Sequence, residues 1–464
     1  MRAKSFPLIA MLILVSLVLA SCAPTPAPAP TAAPATAVPA TAVPPTAVPP
    51  TAVPPTAAPE PTKAPAAAEP TKAPAAVEPT KVPPPPAPEF IEVGASIPLT
   101  GKYGSLGTQV KTGYAYAVAD VNAAGGIYVK EYDKKIPIRL TVYDDESDPT
   151  KAVSKMETLF SEQKVTAYLG GAASDMHAAT SAIAEKNKVP YFGVAFALWK
   201  IHQQGYKYLF SPFVKSPAQA TDLYAYLNAA IPEGQRPLKV AIFQEKTDWG
   251  IELGGLWKDN APKYGYTVVD YEVYAPGTKD YSAMILKAKA AGAETLLTMP
   301  GPPDGIAIWK QMIELNWTPK FTMMIRAPEG ITWASTFGKN ADGPTIFPGW
   351  HHGEKFPGVD SINERFQKDF GRPADLLVGP AYACVQILAD AIQRAGTLDR
   401  DTIRDAIVAT NMTTVVGPVT FNADGTGNVL DPMVQWINGK QELVWPPEHK
   451  TADLVYPAVP FDKR

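Results

Sequence analysis

Cysteine is nearly absent from the chain: two in 464 residues, Cys22 and Cys384. Two cysteines in such different settings make no disulfide framework. Cys384 lies in the apolar run AYACVQIL and reads as a small buried core residue. A surplus of charge is missing too. Lys and Arg number 42 against 45 Asp and Glu, a net charge of -3, so nothing points to nucleic acid. The one long apolar run, Leu8 to Ala20, is too short for a comfortable membrane span. The chain also lacks a glycine-rich phosphate loop of the P-loop type, HExxH and GxSxG. Ser174 sits among small residues with no histidine base identified beside it. His351 and His352, with Glu354 close by, are adjacent rather than on one face, which suits a polar connection better than zinc. Asp144, Asp145, Glu146 and Asp148 read as a solvated loop and a helix cap rather than a divalent-ion site. The expectation is a protein that is not an enzyme and has no metal and no cofactor.

What the chain has in excess is proline, 50 residues, much of it near the start. Arg2 and Lys4 precede the apolar run, which ends in Leu19-Ala20-Ser21-Cys22. This resembles the lipobox of bacterial lipoprotein signal peptides, which implies lipidation of Cys22 and anchoring by acyl chains with no spanning helix. Residues 23–88 form a Pro/Ala/Thr-rich tether. TAVPP occurs three times from Thr41, and EPTKAPAA occurs from Glu60 and from Glu69. No apolar face can form there, so nothing compensates the entropy of ordering. At about 3.1 Å per residue in polyproline II, the tether reaches on the order of 200 Å if fully extended.

The folded body begins near Phe90. IEVGASIPL and IPIRLTVYDD alternate as strands, and helical spacing follows each. Asp148-Pro149 reads as a cap and first turn. VTAYL, Gly170-Gly171, Ala172, Ala173 and Ser174 then lead into an alanine-rich helix. Small residues let a ligand approach the backbone, and a helix N-terminus favours an anion. Ser174 therefore reads both as a helix cap and as a carboxylate socket. A second series of strands and helices runs from Lys239 and a third block from Gly349. Trp257, Trp309 and Trp317 fall at helix positions and read as core. The alternation predicts parallel sheets covered by helices, with ligands beyond the carboxyl ends of strands, after Leu99, Leu169, Phe192, Phe243 and Ile325.

The stretches IEVGASIPLTGKYGSLG, DVNAAGGI, LTVYDDESDPTKAV, YLGGAASDMHAATSAIAEKNKVP, EKTDWG, KDYSAMILKAKAAGAETLL, APEG and VVGPVTF keep one order and spacing. In this the body resembles the leucine/isoleucine/valine-binding proteins, type I solute-binding components of bacterial ABC importers. The resemblance implies two doubly wound α/β lobes joined by a three-crossing hinge. One lobe would hold 90–211 and 349–427, the other 212–348 and 428–445, with 446–464 as a tail. It implies that Ser174 holds a ligand carboxylate, the Ala195 carbonyl accepts from an ammonium, and Glu329 pairs with that ammonium from the opposite lobe. Trp249 would cover the ligand and Leu106 would line its side-chain pocket. Tyr103, Ala172, Ala173 and Phe196 complete the expected site. Ala197 stands where amino-acid binders carry a threonine. Ser147 and Ala173 replace a cysteine pair of some relatives. The implied solute is amino-acid-like or a carboxylate, with an amide, urea-like or aromatic acid as the alternative. A monomeric, extracytoplasmic lipoprotein serving ABC permease subunits is expected, or else a sensor for a membrane signalling partner.

Overall fold

In the computed structural model the described residues are 84–330 and 332–464. The leader, Cys22 and the tether up to residue 83 lie outside them.

Two parallel sheets organise the body. The first has five strands in the order Ile138–Asp144, Ile91–Ile97, Ala167–Leu169, Tyr191–Phe192, Leu209–Phe210, all parallel. Ile91, Val93, Ala95 and Ile97, every second residue, enter one apolar core with the helices Gly104–Ala123 and Val378–Ala395. Those two helices approach closely at Gly113, where a Cβ would stand 2.3 Å from the Val378 carbonyl oxygen. The helices Pro149–Ser161 and Ser174–Asn187 cover the other face with Met156, Leu159 and Ala184. Asp148 starts the first of these as its spacing predicts. Its side chain accepts from the Thr150 and Lys151 N–H groups at 2.7 and 3.2 Å, with Pro149 in the first turn.

The second sheet has seven strands in the order Lys440–Trp445, Met433–Ile437, Pro344–Ile346, Phe321–Met324, Thr295–Thr298, Lys239–Glu245, Thr267–Tyr274. Five are parallel, and the closing hairpin adds two antiparallel strands at one edge. Trp257 packs on one side of this sheet, Trp309 and Trp317 on the other, as core residues. Residues 446–464 return along the second sheet. The Phe461 ring lies 5.2 Å from that of Trp309.

The chain passes between the sheets three times, between 210 and 216, between 346 and 359, and between 428 and 433. Ser211 and Thr426 form a parallel bridge that ties the first crossing to the segment leading into the third. In the second, His351 gives one ring nitrogen to the Gln441 carbonyl at 2.9 Å, while the other accepts from the Gly353 N–H at 2.9 Å. Burial pushes its pKa down to about 3. With both nitrogens engaged, this imidazole is structural. Among the described residues no group of three or more His, Cys, Asp or Glu is placed to hold a metal ion.

Candidate functional site

The carboxyl ends of both sheets face one small cavity of about 20 Å³. The first sheet contributes Leu106 from its first helix, Ala173 and Ser174 after Ala167–Leu169, and Ala195, Phe196 and Ala197 after Tyr191–Phe192. The second contributes Trp249, Ile325, Arg326 and Glu329; Phe213, Gln219 and Phe347 come from near the crossings. Eight of the ten residues picked from the sequence therefore meet here. Two do not line the cavity. The Tyr103 hydroxyl turns to Asp175 at 3.2 Å, and Ala172 is fully buried behind its neighbours. A larger cavity of about 510 Å³ lies elsewhere, against His351, His352, Arg372 and Trp436. No residue picked as ligand-binding lines it. The small cavity is the better candidate, because it alone sits at strand carboxyl ends of both sheets.

The backbone at this cavity is strained. Ala173 has φ +80° and ψ 143°, Ala195 has φ +54°, and Arg326 has φ +79° and ψ -57°. Each is a non-glycine residue at positive φ, and the Ala173 conformation approaches one that is nearly glycine-only. Such strain costs about 1–3 kcal/mol per residue and concentrates at binding sites. Two of these residues support each other, since the Ala173 N–H donates to the Ala195 carbonyl at 3.1 Å. Ser174 is the first residue of its helix, and Ala173, with no capping side chain, holds the cap position. The cap reading of Ser174 is thereby corrected. Its hydroxyl oxygen instead accepts from the Leu198 N–H at 3.4 Å, at the helix end where N–H groups lack internal partners.

The opposite wall is built around Arg326, which sequence reasoning did not pick. Its guanidinium is buried and pairs with Glu245, donates to the Met299 carbonyl, and lies 4.6 Å from the Trp249 ring centroid. Burial opposes its charge, but the Glu245 carboxylate more than offsets that, so its pKa is raised. Glu245 is itself held by the Gly301 N–H at 3.0 Å. Glu329 is 5% exposed, and one carboxyl oxygen accepts from the Arg326 backbone N–H at 2.9 Å. Desolvation pushes its pKa up to about 7, against the pull of that N–H and the guanidinium. The Glu329 carbonyl receives the Gln109 side chain at 3.3 Å, a contact from the first sheet's helix to the second sheet's loop. Behind Phe196 stands Lys215, also buried, which donates to the Phe196 carbonyl at 2.8 Å and to Ser211 at 2.7 Å. Burial pushes its pKa well down. It fastens the Phe196 loop to the first crossing.

Comparison with known proteins follows the same lines. The family described as periplasmic binding protein matches residues 91–440. Leu/Ile/Val-binding protein homolog 3 of Brucella melitensis biotype 1 is 27% identical over 364 residues, 75% of this chain and 92% of that protein. The branched-chain amino acid transporter substrate-binding protein LivJ of Streptococcus pneumoniae, solved with isoleucine, superposes with a TM-score of 0.66 at 20% identity. The match covers 79% of this chain and 100% of LivJ. An ABC transporter solute-binding protein of R. palustris, solved with benzoate, gives 0.64 at 17% identity over 79% of this chain and 98% of that one. The fold is that of type I periplasmic binding proteins. With a match over most of the body, this chain belongs to the periplasmic binding protein family, where it is similar to the Leu/Ile/Val-binding protein homologs.

Proposed function

We propose that the protein is the solute-binding component of an ABC importer, held outside the cytoplasm by acyl chains on Cys22. It captures a small carboxylate-bearing solute between its two sheets and delivers it to the permease. The observation that carries this reading is a single cavity walled from both sheets, with three strained residues in its lining. A carboxylate suits the Ser174 hydroxyl and the open N–H groups of the helix it begins. A cavity of about 20 Å³ holds little more than a water-sized group. Admitting a solute therefore requires the two walls to part at the three crossings and close again. A ligand that touches both walls binds the closed form better and shifts the population toward it. Fold alone does not choose the solute, since the two solved proteins above carry isoleucine and benzoate. The anchor is supported by the leader that ends at Cys22 and by the family's extracytoplasmic setting. No helix among the described residues is long and apolar enough to cross a membrane.

One experiment tests both halves. The full chain, extracted from washed membranes and denatured, is expected to release one small organic acid at close to one per chain, identified by mass spectrometry. The Cys22→Ser chain, once exported, is expected in the soluble fraction with the same acid. Membrane retention of Cys22→Ser after a salt wash defeats the anchor. A protein that releases no small acid, and takes none up, defeats the binding function.

A further inference from the structure

Hydrogen-bond complementarity at the cavity separates two kinds of carboxylate solute. An amino acid brings an ammonium, which has three donors and no acceptor. Yet the unpartnered buried polar atoms of the second-sheet wall are themselves donors. They are Arg326 Nε–H and Trp249 Nε1–H, both on residues that line the cavity. The acceptors foreseen for an ammonium are already partly taken. Glu329 receives the Arg326 N–H at 2.9 Å, and the Ala195 carbonyl receives the Ala173 N–H at 3.1 Å. Ala197 offers no hydroxyl. The one unpartnered buried acceptor in the lining is Gln219 Oε1. An ammonium placed here would meet the Arg326 guanidinium and leave two buried donors unpaired.

We propose that Arg326, with Trp249, makes the cleft specific for an organic anion that carries an acceptor where an amino acid carries its ammonium. The simplest such solute is a 2-oxo acid, and amides of the same shape share the chemistry. The carboxylate lies at Ser174 and the helix N-terminus. The second oxygen accepts from Arg326 Nε–H and Trp249 Nε1–H. Arg326 is held for this role by its pairing with Glu245 and by its strained backbone at φ +79°. This inference rests on the solute-binding reading above and adds the class of solute.

The test uses pairs matched in carbon skeleton, leucine with 4-methyl-2-oxopentanoate and phenylalanine with phenylpyruvate, titrated by calorimetry into the solute-free protein. In at least one pair the 2-oxo acid is expected to bind tenfold or more tighter than the amino acid. Arg326→Gln is expected to abolish that preference. Since removing a buried charge also threatens folding, Trp249→Phe serves as a second variant. It deletes one donor and keeps an aromatic ring, and is expected to lower 2-oxo acid affinity by a several-fold larger factor than amino acid affinity, narrowing the preference. Tighter binding of the amino acid in either pair overturns the inference and leaves the solute-binding reading intact. So does a 2-oxo acid preference that neither variant reduces. Binding by no member of either pair overturns it as well. The released-acid measurement then judges the broader reading alone.

Discussion

Glu245→Ala is expected to cost about 3–5 kcal/mol of stability, because it leaves the Arg326 guanidinium charged, buried and unpaired. The Glu245 side chain is 3% exposed and that of Arg326 is 9%. The substitution also strips an acceptor from the Gly301 N–H. Against a typical total of about 5–15 kcal/mol, the loss is a large share of the whole. The single variant is expected to unfold at a much lower urea concentration. The double variant Glu245→Ala with Arg326→Met is expected to recover most of the loss, since it removes the stranded charge as well as its partner. A single variant within 1 kcal/mol of the parent, read from urea unfolding by circular dichroism, would show that Arg326 is solvated or paired elsewhere.

The second large effect depends on pH. Glu329 has a folded pKa near 7 against about 4.5 for the free side chain. Between those values the folded protein binds the proton and the unfolded chain does not. The stabilisation is therefore complete below about pH 4.5 and is lost as pH rises through about 7. At about 1.4 kcal/mol per pKa unit, the swing is on the order of 3 kcal/mol. Glu329→Gln cannot ionise and escapes this loss. The variant is expected to gain on the parent from about pH 5 to about pH 7 and to level off by about pH 8. Other buried acids with raised pKa values, Glu354 at about 8 and Asp145 at about 6, add slopes of the same sign. They are present in both proteins and cancel in the difference. Urea unfolding of the pair across that range gives the curve directly. A flat difference would mean that Glu329 is ionised throughout, with a partner other than the Arg326 N–H.

Much of this was legible because it is local. The run VTAYLGGAASDMHAATSAIAEKNKV predicts a strand, a turn and a helix, and the structure has Ala167–Leu169 followed by Ser174–Asn187. Asp148 announces its helix through a short side chain before proline. The sheet ends where ligands were expected, after Leu169, Phe192, Phe243 and Ile325, supply most of the cavity lining. What escaped is set through space. Arg326 follows an apolar strand and would ordinarily turn to water. It is buried because Glu245, 81 positions away at the end of the strand Lys239–Glu245, meets it. The one available signal was a lone charge at a strand's carboxyl end beside APEG. Phe213, Gln219 and Phe347 come from segments near the crossings whose path no periodicity reveals. The positive φ of Ala173 and Ala195 could not be foreseen either, since the usual marks of that conformation are glycine and asparagine. Lys215 reads as a surface lysine in FVKSP and instead stands buried over the Phe196 ring at 3.7 Å.

Solute binding as proposed requires the solute to occupy the small cavity between the two sheets. Calorimetric rebinding of the acid recovered from the purified protein tests it most directly, using the parent, Ser174→Ala and Ala197→Phe. Ser174→Ala removes one hydrogen-bonding group, worth about 0.5–1.5 kcal/mol, and is expected to weaken binding roughly two- to thirteenfold. Ala197 is 3% exposed and lines the cavity. A phenylalanine there fills the space and keeps the walls apart, so Ala197→Phe is expected to abolish binding while the urea transition remains cooperative. Parent-like affinity in both folded variants would place the solute elsewhere and contradict the account.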